Sequence, residues 1–231
     1  DELFDDPEER FEFLETRLAN DPDNADLLRE QLELARNLGY RSEMYDLAER
    51  LLDLEPSAES FYEIGEMYLD DGENAEALSY FERALSEPDA EEGTLRRDVH
   101  FSMGVAERRQ NNLQDARSHF RQTLDEDDTF GEAYFEIGNV YADAISECSG
   151  GQLERMDRAV YWLVVDYFER ARDVEPGIAG RADQLINTYQ EIFPTREDIF
   201  FESGWEEGDS ISIDYGCYSW INESTTIRAV R

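Results

Sequence analysis

SFYEIGEMYLDDGENAEALSYFERAL, residues 60–85, reads as two short helices joined at Gly72. Phe61, Ile64, Gly65 and Tyr68 fall at three- and four-residue spacing, and so do Ala77, Phe81 and Ala84, so each half carries one apolar stripe. Glycine between two such stripes supplies the left-handed residue that ends the first helix. Small residues let two antiparallel helices approach closely, and the aromatics fill the gap to a neighbour. One pair cannot bury its apolar face alone, so the stretch must be one unit of several.

Other units are present. Gly65 in FYEIGEMY, Gly104 in HFSMGVAE and Gly138 in YFEIGNVY are spaced 39 and then 34 residues apart. A period of about 34 residues resembles the tetratricopeptide repeat. That family asks for a bulky residue, an aliphatic-small pair, an aromatic, then a second helix with small, aromatic and small residues before a proline. Phe61, Ile64, Gly65, Tyr68, Ala77, Phe81 and Ala84 fill those positions, with Pro88 one place early. His100, Met103, Gly104, Ala116 and Phe120 fit the next unit, where Glu107 and Thr123 depart from it. Tyr134, Ile137, Gly138 and Tyr141 open the next, and Phe168, Ala171 and Pro176 close it after an insertion of about 14 residues against the 34-residue period. A weaker unit spans 25–56 with Gly39 at its turn, and FEFLETRLANDP before it looks like the second helix of a half-repeat. Asn24, Ser57 and Asp128 are the expected helix caps.

The expected fold is therefore an all-α tetratricopeptide-type solenoid, a right-handed superhelix of antiparallel helix pairs over 1–201. Its units lie at about 25–56, 58–90, 97–130 and 131–176, with an insertion at 142–158 and a capping helix at 179–193. Leu153, Met156, Val160, Leu163, Val164, Tyr167, Phe168 and Ala171 keep helical spacing, so the last pair should overhang its neighbours. That overhang either packs the C-terminal segment or offers a ledge to a partner. After Phe201 the period becomes alternating: Ile211 and Ile213, aromatics at 215, 218 and 220, and a polar break at Asn222-Glu223-Ser224 read as a short β-ribbon over 202–231. An isolated ribbon is marginal in water, so it should pack on the solenoid, or else pair its edge with a partner strand or a second copy. The tail also resembles the end of a group of bacterial tetratricopeptide proteins, which brings no activity with it.

Composition limits the partners. The chain has 231 residues, enough for a short repeat array, and its 40% hydrophobic content excludes wholesale disorder. Acidic residues number 57 against 21 basic ones, all of them arginine, for a formal charge of -36. Excess surface acid without lysine resembles the composition of proteins from extreme halophiles; a surface for a basic partner or divalent cations is the competing reading. Nucleic acid is not expected, since phosphate neutralisation needs basic clusters and only Arg96-Arg97 and Arg108-Arg109 come close. No apolar run approaches the ~18 residues of a membrane span. A chain opening at Asp1 without methionine leaves a removed leader open.

Few residues suggest chemistry. Cys148 and Cys217 both lie in segments that depart from the repeat; they are either a disulfide, which would favour an exported over a cytoplasmic location, or two buried thiols. Thiol catalysis and zinc binding are poorly served by two distant cysteines with His100 and His119. DPDNAD at 21–26 and DEDD at 125–128 lack the glycine and terminal glutamate of a calcium loop. No catalytic residue, metal or cofactor is expected, and the sequon at Asn222 reads as a turn.

The family resemblance implies a ligand face on the first helices. It places Arg29, Glu33 and Arg36, then Tyr62, Glu66 and Leu69, then Phe101, Val105, Arg108 and Arg109, then Phe135, Asn139 and Asp143 on that face. Arginines beside aromatics suit an extended protein or peptide segment with carboxylates and apolar anchors. The family's carboxylate clamp is matched only at Asn139. The expected function is a non-enzymatic protein-interaction scaffold; an assembly or homodimerisation module acting through the long pair and ribbon is the alternative. Self-repulsion at this charge is screened at ~1 M salt, where the Debye length is about 3 Å. Helicity by circular dichroism is expected to fall below about 0.2 M salt, whereas full helicity and an unchanged melting temperature in dilute buffer would count against a solvent-adapted surface.

Overall fold

The computed structural model describes residues 6–91 and 94–230 and carries eleven α-helices and one two-stranded sheet among them. The chain divides after Leu95 into two compact units.

The first unit holds α1 (Pro7–Asn20), α2 (Ala25–Leu38), α3 (Arg41–Leu54), α4 (Ala58–Asp70), α5 (Asn74–Ser86) and a 3₁₀ turn at Pro88–Glu91. Asn24 and Ser57 cap α2 and α4, accepting from the backbone N–H of Leu27 and Ser60 at 3.1 Å each. Gly39 and Gly72 take positive φ of 73° and 81° at the two pair turns. Phe11, Leu14, Leu18, Leu27, Leu28, Ala35 and Leu47 bury one core. In the α4–α5 pair, a Cβ on Gly65 would stand 2.5 Å from the fully buried ring of Phe81, so only glycine permits that approach. Tyr45, Tyr68 and Tyr80 form a ladder across α3, α4 and α5, with centroids 4.5 and 5.2 Å apart.

The second unit holds α6 (Leu95–Arg109), α7 (Leu113–Glu126), α8 (Gly131–Ser149), α9 (Arg155–Val174), a 3₁₀ turn at Pro176–Ile178, α10 (Ala179–Gln190), α11 (Arg196–Phe201), and strands β1 (Ser210–Ile213) and β2 (Glu223–Thr226). Helices α8 and α9 run 19 and 20 residues, against 12–15 for the other helices longer than two turns. The strands pair antiparallel from Ser210↔Thr226 to Ile213↔Glu223.

Several local expectations need correction. Asp128 does not cap α8: the helix begins after Phe130 without a side-chain cap, and neighbouring Asp127 folds the turn by accepting from Thr129 N at 3.0 Å. Leu153 precedes α9 and is 39% exposed, because Glu154 and Asp157 form a reciprocal capping box that starts the helix later. Glu223-Ser224 opens β2 instead of marking a break, and Asn222 carries the turn at φ 50°. Tyr215, Tyr218 and Trp220 therefore lie in the connection between the strands. A second capping box, Thr195 with Asp198, nucleates the short α11 that spacing alone does not reveal.

The C-terminal segment lies on α7, α8 and α9. Trp162, fully buried, donates to the Arg228 carbonyl at 2.7 Å, while Arg228 donates back to the Trp162 carbonyl and to Asp166, both at 2.6 Å. Burial raises the Asp166 pKa although Thr225 and Arg228 hold the carboxylate. Glu223 accepts from Tyr141, Tyr167 and Arg121. Arg117 donates to the carbonyls of Trp220 and Ile221 at 2.9 and 2.7 Å. Cys148 and Cys217 are joined in a disulfide across 69 residues, a loop whose closure in the unfolded chain is worth about 4 kcal/mol on the chain-entropy account.

The glycine contact can be tested in this unit. A Cβ on Gly104 would stand 2.5 Å from Phe120, whose ring is fully buried. Overpacking costs about 1–3 kcal/mol, and alanine's helix propensity returns up to about 1 kcal/mol. Gly104→Ala is therefore expected to lower the thermal midpoint in multimolar potassium chloride, with Phe120→Leu beside it recovering part of the loss. An unchanged midpoint would mean that the ring moves aside freely.

Candidate functional site

The first helix of each pair presents a polar face, and each unit has its own cleft there. In the first unit a cavity of about 340 Å³ is lined by Arg29, Glu33 and Arg36 of α2 together with Glu59, Ser60 and Glu63 of α4. Three residues that the repeat register puts on the ligand face thus meet in one place. Arg29 is partly spent, bridging Asp26 at 3.3 Å and Glu55. Exposed Arg36 makes no ion pair among the described residues, which leaves it as the available cation. Tyr62 and Glu66 are half-buried and outside this lining, and the Tyr62 ring leans on Phe81 at 5.9 Å. Leu69 is 5% exposed and lies outside this lining.

In the second unit a cavity of about 400 Å³ is lined by Val105, Arg108 and Arg109 of α6 and by Glu136 and Asp143 of α8. Arg108 donates from Nε to Asp143 at 2.6 Å and from Nη1 to Glu136 at 2.8 Å. Burial works against its charge, but the two carboxylates prevail and hold the guanidinium pKa above its ordinary value. Glu136 was missed by the repeat register and is legible only from the fold, which turns it toward α6. Arg109 is exposed. Phe101 packs on Phe120 and Phe130, and Asn139 is half-buried. Phe135 is 5% exposed beneath the Arg181 guanidinium, 4.1 Å from its centroid, so α10 already occupies that anchor.

These clefts and the pairs that frame them match a known pattern. The sequence profile of the tetratricopeptide repeat matches residues 32–92. Residues 32–92 carry tetratricopeptide repeats. Among solved structures the chain is similar to MamA, with a TM-score of 0.56 and 19% identity over 74% of this chain and 89% of that one. MamA 41-end from Desulfovibrio magneticus RS-1 matches with a TM-score of 0.56 and 15% identity, covering 74% and 86% of the two chains. YrrB, a TPR protein with an unusual peptide-binding site, matches with a TM-score of 0.56 and 19% identity, covering 77% and 84%. At such identities the likeness is one of fold. Comparison with curated protein sequences returns no match.

The tetratricopeptide pairs account for the remaining chemistry-bearing residues as packing. His100 and His119 stack between α6 and α7, centroids 5.8 Å apart, and His100 Nδ1 is buried without a hydrogen-bond partner. Among the described residues no three histidine, cysteine or acidic side chains gather as a metal site, and no helix is long and apolar enough to cross a membrane. Burial, with His119 and Arg96 adding to it, pushes the His100 pKa from 6.5 down to about 4. The unfolded chain takes up this proton below 6.5 and the folded chain only near 4, so stability falls as pH drops through that window. Urea melts at pH 7 and pH 4.5 are expected to show a loss on the order of 2 kcal/mol that His100→Gln removes. Equal losses in both proteins would place the acid sensitivity elsewhere.

Proposed function

We propose that this tetratricopeptide-repeat chain is a binding scaffold, not an enzyme, and that it holds a protein or peptide segment against its first helices. The observation that carries this reading is the distribution of covered and open faces. Its C-terminal segment is spent on α7, α8 and α9, where Trp162, Asp166 and Arg228 engage one another and Glu223 accepts from Tyr141, Tyr167 and Arg121. The clefts on α2 and α4 and on α6 and α8 keep cationic residues at their walls. Preformed helical walls lower the ordering cost of an extended ligand, which is how such a surface gains affinity without large area. YrrB, similar in fold, is a TPR protein with a peptide-binding site. Arg36 is the residue placed to meet ligand carboxylates, exposed Arg109 adds positive charge beside the second cleft, and Val105 provides an apolar contact. Arg108 acts as a fixed wall, because its donors already serve Asp143 and Glu136.

A specific observation also supports the assembly reading. Phe200 and Phe201 on α11 are 82% and 65% exposed, and among the described residues their rings contact only each other. Affinity capture from an extract in multimolar potassium chloride separates the two. Arg36→Glu/Arg109→Glu is expected to reduce capture of the partner by at least about tenfold, roughly 1.4 kcal/mol, while Phe200→Ser/Phe201→Ser leaves it unchanged. The opposite pattern would move the working surface to α11.

A further inference from the structure

The largest of these cavities lies away from the first-helix faces. Between α1 and α3 the first unit opens a cleft of about 580 Å³, walled by Phe11 and Leu18 on one side and Leu47 on the other. At its floor stands Gln31 of α2, a glutamine only 2% exposed. Among the described residues its side-chain amide has no hydrogen-bond partner. The amide is not sealed off as an unsatisfied buried group, because its polar atoms reach solvent through the cleft. Here the group faces the cleft, so a donor or acceptor arriving from outside would complete it.

Charge on the rim specifies what could arrive. Glu15 projects from α1 and Glu43 from α3; both are exposed and neither makes an ion pair among the described residues. Among the described residues Asp46 has only a loose ion-pair contact to Arg50, at 3.7 Å. Arg50 itself reaches to the Pro22 carbonyl at 2.9 Å, which fastens it to the α1–α2 turn. The lining therefore holds three carboxylates against one tethered cation. The acidic rim is the reverse of the arginine-bearing wall that α2 contributes on its ligand face.

We propose that this cleft is a second docking site, and that it receives an arginine side chain from an extended segment of a partner protein. The aliphatic stem would lie along Phe11, Leu18 and Leu47, the guanidinium would meet Glu15, Glu43 and Asp46, and one N–H would be donated to the Gln31 carbonyl oxygen. Arginine suits the site better than lysine because its planar head is weakly hydrated and donates in several directions at once, to carboxylates and an amide together. A lone carboxylate cluster would attract any cation. The buried amide and apolar walls select one with a stem and a fan of donors.

The test uses the full chain and two short probes, acetyl-Gly-Arg-Leu-Gly-amide and its citrulline counterpart, followed by amide chemical shifts in about 1 M potassium chloride, where the Debye length is about 3 Å. At that salt, diffuse attraction to the acidic surface is suppressed and only direct contact survives. The arginine probe is expected to give saturable shifts at Gln31, Glu15 and Glu43, with the uncharged probe weaker by at least about tenfold. Glu15→Gln/Glu43→Gln, at exposed positions that do not threaten folding, and Gln31→Met, which conserves volume, should each weaken the arginine probe by about fivefold or more. Arg36→Glu should leave it unchanged, which separates this site from the first-helix cleft. Equal binding of the two probes, shifts that never saturate, or shifts confined to α2 and α4 would overturn the proposal, the second outcome meaning a solvent-filled pocket only.

Discussion

Helix pairs α4–α5, α6–α7 and α8–α9 close on the same contact, a glycine on the first helix against the ring of a phenylalanine on the second. A Cβ at Gly65, Gly104 or Gly138 would stand 2.5 to 2.9 Å from Phe81, Phe120 or Phe168. Each of those rings is fully buried. Interiors packed to crystal density do not yield readily, so the ring holds the distance between the two helices within narrow limits. Three of the four first helices that wall the clefts, α4, α6 and α8, are fixed against their partner helices in this way. Two helices held this close must turn their larger polar residues outward, and the first helix of each pair then presents a fixed row of charges. Between two such first helices, α6 and α8, Arg108 donates to Glu136 and Asp143.

Charge gives the second organising constraint. With 57 acidic residues and 21 arginines, most carboxylates have no cation to meet, and the arginines are concentrated where elements join. Arg117, Arg121 and Arg228 fasten the C-terminal segment, Arg155 and Arg158 fasten α11 through Glu202 and Asp198, and Arg10 joins α1 to Glu30. Isolated surface pairs contribute little. Arg117 and Arg228 are half-buried and donate to backbone carbonyls as well, which makes them positioning devices more than sources of bulk stability. An arginine left out of such work, as Arg36 is, becomes informative for that reason.

The helix pairs were legible because their determinants are local. Period, glycine turns and caps such as Asn24 and Ser57 each act within a few residues of themselves. Asp128 misled because a cap needs the right backbone angle as well as an acceptor, and Asp127 took the turn instead. The ribbon was legible as a change of period, but its register was not. Glu223 looked like a turn residue, and only the approach of Tyr141 and Tyr167 from distant parts of the chain shows why a carboxylate begins β2. The ligand face was read from repeat register, which placed Arg29, Glu33 and Arg36 together but could not foresee that Leu69 packs inward or that Arg181 lies over Phe135. Register gives direction around a helix; it is silent on what a neighbouring helix lays on top. The cleft at Gln31 left no sequence signal, because a glutamine within an apolar stripe looks the same whether or not its amide finds a partner.

The disulfide has a topological consequence. By joining Cys148 to Cys217 it turns α9, α10, α11 and β1 into a closed covalent ring. A protease that cuts within this ring leaves both fragments attached, and a force applied to the C-terminus, once the contacts of β2 and Arg228 give way, passes from Cys217 directly into the end of α8. The elements between the two cysteines, α9 to β1, are thereby shielded from tension, while β2 and Arg228 lie on the loaded side of the bridge.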